Sequence, residues 1–418
     1  MLDIKIIREN PDFIKQALSG KRVPGGEIDR LLHLDTEKRK LLAEADELKT
    51  KRNKLSDKVG RLKASGKDIT RLLDEGKLIS QKTSEIDKKV GEISNLIDSI
   101  LLNIPNIPDN SVPVGKDASA NKIIRELGVK PVFQFKPKDH LAIATDLQWL
   151  SMEAGAKVAG SAFPFYIGEG ARLERALINF MVDLHAKKHG YKEVWPPLLV
   201  NRASMTGTGQ LPKFEEDMYR LKDDDFFLVP TAEVPVTNFH RNDVLEEKDL
   251  PVKYVAYSPC FRREAGSYGK DTKGLSRVHQ FDKVEMVKFV KPESSLNELE
   301  SLVHDAEEVL QLLEIPYRVV LLSSGDMSFA AAKCYDIEAW APGANKWFEV
   351  SSCSVFTDFQ ARRANIRYKP KDGSKPRFVH TLNGSGVALA RTVLCLLENH
   401  QKENGSIQMP KALEPYLA

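Results

Sequence analysis

The chain has 418 residues, of which 42% are hydrophobic and 29% charged, and its formal net charge is +3. This length and composition indicate a globular protein of about two or three domains, and no run of about 18 apolar residues is present to form a membrane-spanning helix. The first residues lack a secretory signal pattern, and the four cysteines are widely spaced without a C-x-x-C pair. We therefore expect a cytoplasmic protein without a disulfide framework or a four-cysteine zinc site.

The amino-terminal quarter differs in composition from the remainder of the chain. Residues 1–110 contain 22 basic and 19 acidic residues but a single aromatic residue, Phe13. So few aromatic side chains cannot form a thick globular core. Three prolines within residues 104–113 stop a helix and begin a stiff linker. The sequence therefore predicts a separate domain over residues 1–110 and a second over residues 111–418.

Within the first domain, apolar residues recur at alternating steps of four and three in two runs. The runs are Leu41, Ala45, Leu48, Arg52, Leu55, Val59, Leu62, and Ile79, Thr83, Ile86, Val90, Ile93, Ile97, Ile100. This spacing is typical of a coiled-coil seam, in which the polar residues Arg52 and Thr83 lower stability but can set the register. The string ASGKD at residues 64–68 predicts a helix end, a turn and a new N-cap. We predict an antiparallel two-helix coiled coil over about residues 27–103, roughly 50–60 Å long.

The end of this predicted hairpin is strongly basic. Residues 49–67 contain one acidic residue, Asp57, and eight basic ones: Lys49, Lys51, Arg52, Lys54, Lys58, Arg61, Lys63 and Lys67. A stretch of one sign favours binding to a nucleic-acid backbone, although a hairpin that serves only as a dimerisation spacer is the alternative. The string GRLKASGKD at residues 60–68 does not have the spacing of a phosphate-binding loop, so we interpret it as a turn.

Beyond about residue 170, helices and strands alternate irregularly. Strands are predicted at 226–229, 252–257, 283–290, 317–322, 335–340 and 347–351, and helices at 173–184, 296–313 and after Gly386. Short connections between several strands favour a largely antiparallel sheet with packed helices, the α+β class. No dinucleotide-binding glycine pattern is complete, so a bound nucleotide would need side-chain cations such as those of Arg262 and Arg263.

Three segments resemble, in order, motifs 1, 2 and 3 of the class II aminoacyl-tRNA synthetases. They are the helix before Trp195-Pro196-Pro197, the string Phe261-Arg262-Arg263-Glu264, and the string GSGVALAR at residues 384–391. Further strings are similar to those of the seryl-tRNA synthetase family in its bacterial and organellar form. They are TGTGQLP at 206–212, PTAE at 230–233, RVHQF at 277–281, EVSSCS at 349–354, DFQARR at 358–363 and HTLNGSG at 380–386.

The resemblance covers the whole chain and implies a class II antiparallel sheet with flanking helices, preceded by a coiled-coil arm that binds tRNA. It also implies activation of serine by ATP to seryl-adenylate and transfer of serine to tRNA(Ser), with tRNA(Sec) as a further expected acceptor. Motif 1, here Leu173–Leu184 with Pro196-Pro197, implies a homodimer. Two alternatives are a paralogue that loads an amino acid onto a carrier protein and a scaffold without catalytic activity.

For ATP, the resemblance implies that Arg262 bridges the serine carboxylate and the α-phosphate, and that Arg391 contacts the γ-phosphate. Glu264 and the backbone at Val278 are expected to recognise adenine, with Phe281 stacked on the ring. The resemblance also implies that Glu349 and Ser352 hold Mg²⁺, and a carboxylate with a hydroxyl suits this ion. The remaining residues expected to contact ATP are Arg263, Val350 and Ser351.

For serine, the resemblance implies a pocket with a deep carboxylate, Glu285, beside the amino and hydroxyl groups of the substrate. The other residues of the expected pocket are Thr231, Ala232, Glu233, Arg262, Asn383 and Ser385. A site that satisfies a buried substrate hydroxyl rejects the analogue without it by roughly 10⁴–10⁵, because its polar groups are then left unpaired. Rejection of alanine therefore requires no editing domain.

Overall fold

The computed structural model describes residues 1–265 and 273–417. It divides into two compact units, Leu2–Pro105 and Asn106–Ala418, the second of which also takes in Met1. Among the described residues, no helix is both long enough and apolar enough to cross a membrane.

The first unit is entirely helical. Its helices are α1 (Ile4–Glu9), α2 (Pro11–Ser19), α3 (Gly25–Ala64) and α4 (Thr70–Asn103). The two short helices pack against the start of α3, where Ile7, Ile14, Leu18, Ile28 and Leu31 are fully buried. The unit thus has a small core at its base, from which the two long helices extend.

Helices α3 and α4 form the predicted coiled coil. The seam residues Ala45, Thr83, Ile86, Ile93, Ile97 and Ile100 are buried. The hydroxyl of Thr83 donates to the carbonyl of Ile79 at 2.8 Å, so its hydrogen bond is made within its own helix. Arg52 is exposed rather than enclosed by the seam, because the seam is more open near the tip. Two ion pairs cross between the helices, Lys49–Asp87 and Lys82–Glu44.

The turn between these helices has the predicted chemistry. Gly66 has a φ of +66°, a conformation that glycine adopts without steric cost. The Asp68 carboxylate accepts from the backbone N–H of Thr70 at 2.9 Å, which satisfies one of the free donors at the start of α4. This segment is therefore a turn between two helices, as predicted, and not a phosphate-binding loop.

The second unit contains nine further helices and thirteen strands within the described residues. The helices are α5 (His140–Asp146), α6 (Met152–Ala159), α7 (Glu169–Asp183), α8 (Arg202–Thr208), α9 (Glu233–Asn238), α10 (Ser295–Leu312), α11 (Phe359–Ala364), α12 (Leu389–His400) and α13 (Glu414–Leu417). The strands are β1 (Lys122–Leu127), β2 (Lys192–Glu193), β3 (Leu199–Asn201), β4 (Phe226–Leu228), β5 (Val244–Glu246), β6 (Val252–Phe261), β7 (Gln280–Val290), β8 (Tyr317–Leu321), β9 (Lys333–Ala341), β10 (Lys346–Val355), β11 (Arg367–Lys369), β12 (Arg377–Phe378) and β13 (His380–Ala388).

Eight of the strands form one sheet in the order β1-β8-β9-β10-β13-β7-β6-β2. Every neighbouring pair is antiparallel except β2 and β6. The prediction of an α+β fold with a largely antiparallel sheet is therefore confirmed. Smaller sheets contain β12-β11-β5 and β3-β4.

Both faces of the large sheet are covered. On β7, Val284 and Met286 belong to a core shared with α7, α10 and α12, whereas Val287 and Phe289 belong to a second core shared with α9 and α11. Successive side chains of a strand point to opposite faces, so this alternation follows directly from the pleat. It also places Lys283 and Glu285 on the face of the second core.

The central strand β13 was not predicted as a strand. Its sequence, HTLNGSGVA, is rich in glycine and polar residues, which weaken a strand pattern. Close packing explains the glycines: a Cβ on Gly384 would lie 2.8 Å from Cys353 Sγ, and one on Gly386 would lie 2.4 Å from His185 Nε2.

Candidate active site

A cavity of about 440 Å³ opens on the second unit, within the size range of small-molecule sites. Thirteen of the predicted site residues line it: Thr231, Glu233, Arg262, Glu264, Val278, Phe281, Glu349, Val350, Ser351, Ser352, Asn383, Ser385 and Arg391. Segments from widely separated parts of the sequence thus meet at one place. Among the other predicted residues, Glu285 and Ala232 are buried and Arg263 is exposed.

Glu285 is fully buried at one end of this site. Its carboxylate accepts from Asn383 Nδ2 at 2.8 Å and from Ser385 Oγ at 3.5 Å, and it forms an ion pair with Lys283. The register of β7 against β13 places Ser385 directly opposite Glu285. Because opposed residues of paired strands share a face, these polar groups converge.

Lys283 connects this strand to the loop that begins α9. Its ammonium donates to Thr231 Oγ1 at 2.9 Å, and the same oxygen accepts from the backbone N–H of Glu233 at 3.2 Å. We did not identify Lys283 from the sequence. Lys283 is two residues before Glu285 in the predicted strand, so both side chains point to the same face. This spacing could have indicated its place in the site.

Glu233, the first residue of α9, is buried. Burial raises the pKa of its carboxyl to about 7, with a further contribution from the Glu285 charge. The Gln360 amide, the Lys283 ammonium and the Arg262 guanidinium act in the opposite direction and favour the ionised form. This end of the cavity therefore contains two carboxylates and two cations close together.

Arg262 and Arg391 line the remainder of the cavity. Arg262, directly after β6, donates from Nε to the carbonyl of Pro230 at 3.3 Å, and its guanidinium lies 5.2 Å from the Phe281 ring centre. Arg391, in the first turn of α12, donates to the carbonyls of Ser276 and Glu349 at 3.0 and 2.7 Å. These backbone contacts hold both guanidinium groups at the cavity wall.

The backbone before α12 has an unusual conformation that sets where this helix begins. The register between β13 and β7 shifts between Ser385 and Ala388, and Val387 has a φ of +81°. A β-branched residue with positive φ is strained, and such strain occurs where the surrounding structure holds it in place. Here it turns the strand into α12, so that Arg391 reaches the cavity.

A bulge in β10 positions the two residues expected to hold Mg²⁺. Glu349 pairs with Glu338 and Ser351 with Ile337, so β10 has one extra residue. Residues three apart lie on opposite faces of a regular strand, but the extra residue places Glu349 and Ser352 on one side. In the described part of the chain no group of three His, Cys, Asp or Glu side chains is arranged to hold a metal. One carboxylate and one hydroxyl fit a Mg²⁺ ion that also binds phosphate oxygens and water.

Two further polar residues were missed. Arg277 Nη1 lies 2.6 Å from Glu264 Oε2 and so restrains the carboxylate expected at adenine. Gln360, on α11, donates to Glu233 Oε1 at 2.7 Å. Gln360 belongs to the string DFQARR, yet nothing local to that string indicates the contact. Arg263, in contrast, has an exposed side chain, and its backbone N–H donates to the Asp217 carbonyl at 3.0 Å.

Comparisons with known proteins agree along the whole chain. Residues 1–108 match the family profile of the seryl-tRNA synthetase N-terminal domain, and residues 213–400 match that of the tRNA synthetase class II core domain (G, H, P, S and T). The serine–tRNA ligase of Chloroherpeton thalassium is 54% identical, in an alignment that covers 100% of this chain and 99% of that protein.

Two solved structures have the same fold over the entire chain. The seryl-tRNA synthetase of Pyrococcus horikoshii complexed with ATP has a TM-score of 0.95 at 42% identity, covering 100% of this chain and 98% of that one. The cytoplasmic serine–tRNA ligase of Naegleria fowleri in complex with AMP has a TM-score of 0.89 at 32% identity, with coverage of 100% and 97%. With the class II sheet, the arm and the cavity residues already in place, this chain belongs to the seryl-tRNA synthetase family.

Proposed function

We propose that this chain activates serine with ATP and transfers it to tRNA(Ser). The observation that carries the proposal is that Asn383 and Ser385 line the same cavity as Arg262 and Arg391 and donate to the buried Glu285 carboxylate behind them. One end of the cavity thus offers partners for a small polar amino acid, and the other offers cations for phosphates. Relatives at 54% identity are serine–tRNA ligases, which supports the same substrate here.

In the first step, an oxygen of the serine carboxylate attacks the α-phosphorus of ATP. A bond forms between this oxygen and the α-phosphorus. The bond between the α-phosphorus and the oxygen that bridges the α- and β-phosphates breaks, and pyrophosphate leaves. Arg262 neutralises both the attacking carboxylate and the α-phosphate, and Arg391 neutralises the terminal phosphate. Catalysis of this kind depends on positioning and on charge stabilisation rather than on a proton relay.

Mg²⁺ would be held by Glu349 and Ser352 together with phosphate oxygens, and it would supply further neutralisation of the triphosphate. The protein groups keep the same tasks beside it. The Glu349 carboxylate also lies 3.5 Å from Arg391 Nη1. This ion pair holds both side chains at the end of the cavity proposed to bind the phosphates.

Selection of serine follows from the hydrogen-bonding groups of the pocket. Glu285 and Ser385 would receive the substrate hydroxyl, and Glu233 and Thr231 would receive the ammonium group. Alanine lacks the hydroxyl and would therefore give up a hydrogen bond to a charged group in a buried pocket, which is a large loss in molecular recognition. The available space would exclude threonine.

In the second step, a ribose hydroxyl at the acceptor end of tRNA attacks the seryl carbonyl, and AMP leaves. We propose that the basic residues of α3 hold the tRNA backbone, since Lys51, Lys54, Lys58 and Arg61 are exposed. Recognition of RNA shape rather than sequence extends to tRNA(Sec) as a second acceptor.

We also propose a homodimer formed through α7 and the segment that follows it. The Trp195 side chain is 76% exposed although it is large and apolar, and Phe165 and Ile167 are exposed as well. A dimer formed through this segment would cover these side chains, since contiguous exposed apolar surface is typical of association sites. The four cysteines are free and buried, which agrees with a cytoplasmic location.

Serine-dependent exchange of pyrophosphate into ATP tests the activation step directly. We expect exchange with serine and with no other standard amino acid at comparable efficiency, and the Arg262→Ala variant should lose at least about 10²-fold in rate. The exposed Arg377, which pairs with Glu293 at 2.9 Å, provides the matched control, because Arg377→Ala removes an equal charge away from the cavity.

The alternatives give different results in the same assay. A non-catalytic scaffold would show no exchange although the protein is folded. A carrier-loading enzyme would show exchange but would transfer the amino acid to a carrier protein and leave tRNA(Ser) uncharged.

A further inference from the structure

Gln360 makes three hydrogen bonds in the interior of the second unit. Its side chain is 1% exposed, and its Nε2 donates to Glu233 Oε1 at 2.7 Å and to the carbonyl oxygen of Thr208 at 3.1 Å. Its Oε1 accepts from the hydroxyl of Thr381 at 2.7 Å. The amide therefore joins α11 to α8, α9 and β13 at one point.

The chemistry of these partners fixes the orientation of the amide. The Thr208 carbonyl can only accept a hydrogen bond, so the Gln360 atom facing it must be the nitrogen. Its second hydrogen then points at Glu233, and Oε1 faces Thr381, which must donate. All three hydrogen bonds form in this orientation of the amide and not in the flipped one. Gln360 therefore presents a donor to Glu233.

A fixed donor matters because Glu233 lines the cavity yet is buried, with only 7% of its surface exposed. Burial raises the pKa of this carboxyl to about 7, so its two protonation states are close in free energy near neutral pH. A donor from Gln360 favours the ionised state, which attracts a substrate ammonium group.

Other charged groups around the Glu233 carboxyl partly balance one another. Glu285, on β7, raises its pKa further, whereas Lys283 on the same strand and Arg262 after β6 lower it. On α11 itself, Arg362 pairs with Asp358 at 2.7 Å, and Arg363 donates to the carbonyls of the α8 region. The Gln360 amide, in contrast to these charged groups, contacts the Glu233 carboxylate directly, at 2.7 Å.

We propose that Gln360 is a positioning residue that holds Glu233 ready to accept the ammonium group of serine, and that the Thr208 carbonyl fixes the donating orientation of its amide, which the hydrogen bond from Thr381 supports. This role rests on the proposed function, because it assigns Glu233 to the amino end of the substrate. Gln360 itself acts through Glu233 and does not touch the reacting atoms.

Kinetics of pyrophosphate exchange in the full-length protein test this role. Gln360→Met removes the amide at similar volume, and Thr381→Val removes the hydroxyl that donates to the amide oxygen. We expect Gln360→Met to raise the KM for serine about tenfold, as the loss of a hydrogen bond to a charged group does, with the KM for ATP little changed. Thr381→Val should act in the same direction but more weakly, and Thr381→Ser should restore serine binding.

The pH profile provides a readout that a packing defect would not move. Loss of the donor disfavours ionised Glu233, so the acid limb of kcat/KM for serine, measured between about pH 6 and 9, should shift to higher pH in both variants. Thr392→Val is the matched control. Thr392 and Thr381 are both fully buried, but the Thr392 hydroxyl donates only to the Ala388 carbonyl at 2.8 Å. This control should leave the serine KM and the pH profile unchanged.

Unaltered serine kinetics in Gln360→Met, or equal rises in both KM values with an unshifted acid limb, would overturn the positioning role. Should Gln360→Met fail to fold, as judged by circular dichroism, the same criteria apply to Thr381→Val. A wild-type protein without serine-dependent exchange would instead overturn the proposed function, and this role with it.

Discussion

At the scale of single residues, the end of the cavity proposed to bind serine depends on how the buried Glu285 carboxylate is kept in place. Burying an unpaired charge costs several kcal/mol, but Glu285 has Asn383, Ser385 and Lys283 as partners. These partners come from β13 and from Glu285's own strand, so the site is held by the sheet rather than by a flexible loop. A carboxylate held this rigidly can discriminate between substrates that differ by one hydroxyl.

Replacing Glu285 by Gln tests this arrangement with little change in volume. We expect the serine KM to rise about 10- to 100-fold, because charge-assisted hydrogen bonds contribute roughly 1.5–3 kcal/mol. Discrimination against alanine should fall, while the KM for ATP should stay near its original value. Steady-state pyrophosphate exchange with each amino acid measures all three quantities.

The control for this variant is Glu307→Gln. Glu307 is also buried and paired, with Arg125 Nη2 at 2.6 Å, but it lies on α10 away from the cavity. Its loss should affect stability and leave serine selectivity intact. Unchanged selectivity in Glu285→Gln would mean that serine does not bind at this end of the cavity.

At the scale of secondary-structure elements, irregularities in the strands place the site residues. The bulge in β10 brings Glu349 and Ser352 to one side, and the strained turn at Val387 starts α12 where Arg391 reaches the cavity. The close approach of Gly386 to His185, two residues after the end of α7, couples the segment that follows α7 to this turn. The segment after α7 and the strand β13 therefore contact each other through a glycine that has no room for a side chain.

Gly386→Ala should accordingly displace the turn. A methyl group 2.4 Å from His185 Nε2 forces one of the two to move, and we expect a loss of about 1–3 kcal/mol in unfolding free energy together with weaker ATP binding. His185→Ala removes the obstacle, so the double variant should be less damaged than the sum of the single effects. Denaturant unfolding of the four proteins in this cycle gives the coupling energy.

Gly91→Ala is the control for that cycle. Gly91 lies inside α4 with no atom within 4 Å of an added Cβ, so the substitution should stabilise the helix by up to about 1 kcal/mol. Additive effects of Gly386→Ala and His185→Ala would contradict the proposed coupling.

The arm allows a second test at this scale. Leu55 and Gly76 lie side by side on α3 and α4, so a short turn can replace residues 54–76 and close the hairpin below its tip. We expect serine-dependent pyrophosphate exchange to stay near its original rate, because the cavity is built from the second unit alone. Charging of tRNA(Ser) should collapse, since the replaced segment contains five of the eight basic residues of the tip.

A milder variant separates charge from shape. Lys58→Gln, Arg61→Gln and Lys63→Gln together preserve the helix but remove three positive charges. The slope of tRNA affinity against salt should become shallower by roughly one for each phosphate group that the variant no longer neutralises. Normal charging by the protein with the shortened arm would contradict a tRNA-binding role for the tip.

At the scale of the whole molecule, the chain consists of two units with different physical character. The first is a narrow hairpin with little core, and the second is a large sheet with a core on each face. A coiled coil presents charge over a long surface, whereas a packed sheet holds side chains to a precision that bond formation requires. The two proposed steps, activation and transfer, make these different demands.

We expect the protein to be a homodimer in which the arm of one subunit delivers tRNA to the cavity of the other. Light scattering at micromolar concentration should give twice the mass of 46.9 kDa. Heterodimers of one subunit with the shortened arm and one Arg262→Ala subunit should recover some charging, since the intact arm and the competent cavity then lie on opposite subunits. Arg262→Ala homodimers are the control. A monomeric mass with full activity would contradict the dimer, and verified heterodimers without charging would contradict delivery across subunits.

The sequence by itself determined the features that depend on residues close along the chain. The coiled coil, its turn at residues 64–68 and most strands of the sheet follow from local spacing, and strings of four to eight residues indicated the cavity residues. Periodicity and capping act over one or two helical turns, so they can be read directly. The resemblance then assigned expected roles to these residues.

The tertiary structure decided what depends on contacts between distant segments. Gln360 and Glu233 are 127 positions apart, and the hydrogen bond between them has no local signal. The sequence of β13 resembles that of a loop because it contains two glycines. These glycines are required because Cys353 and His185 pack against them and leave no room for a side chain. Likewise, Lys283 becomes part of the site through Thr231, which a different element supplies. Such contacts form only when remote segments pack together, so local sequence patterns do not predict them.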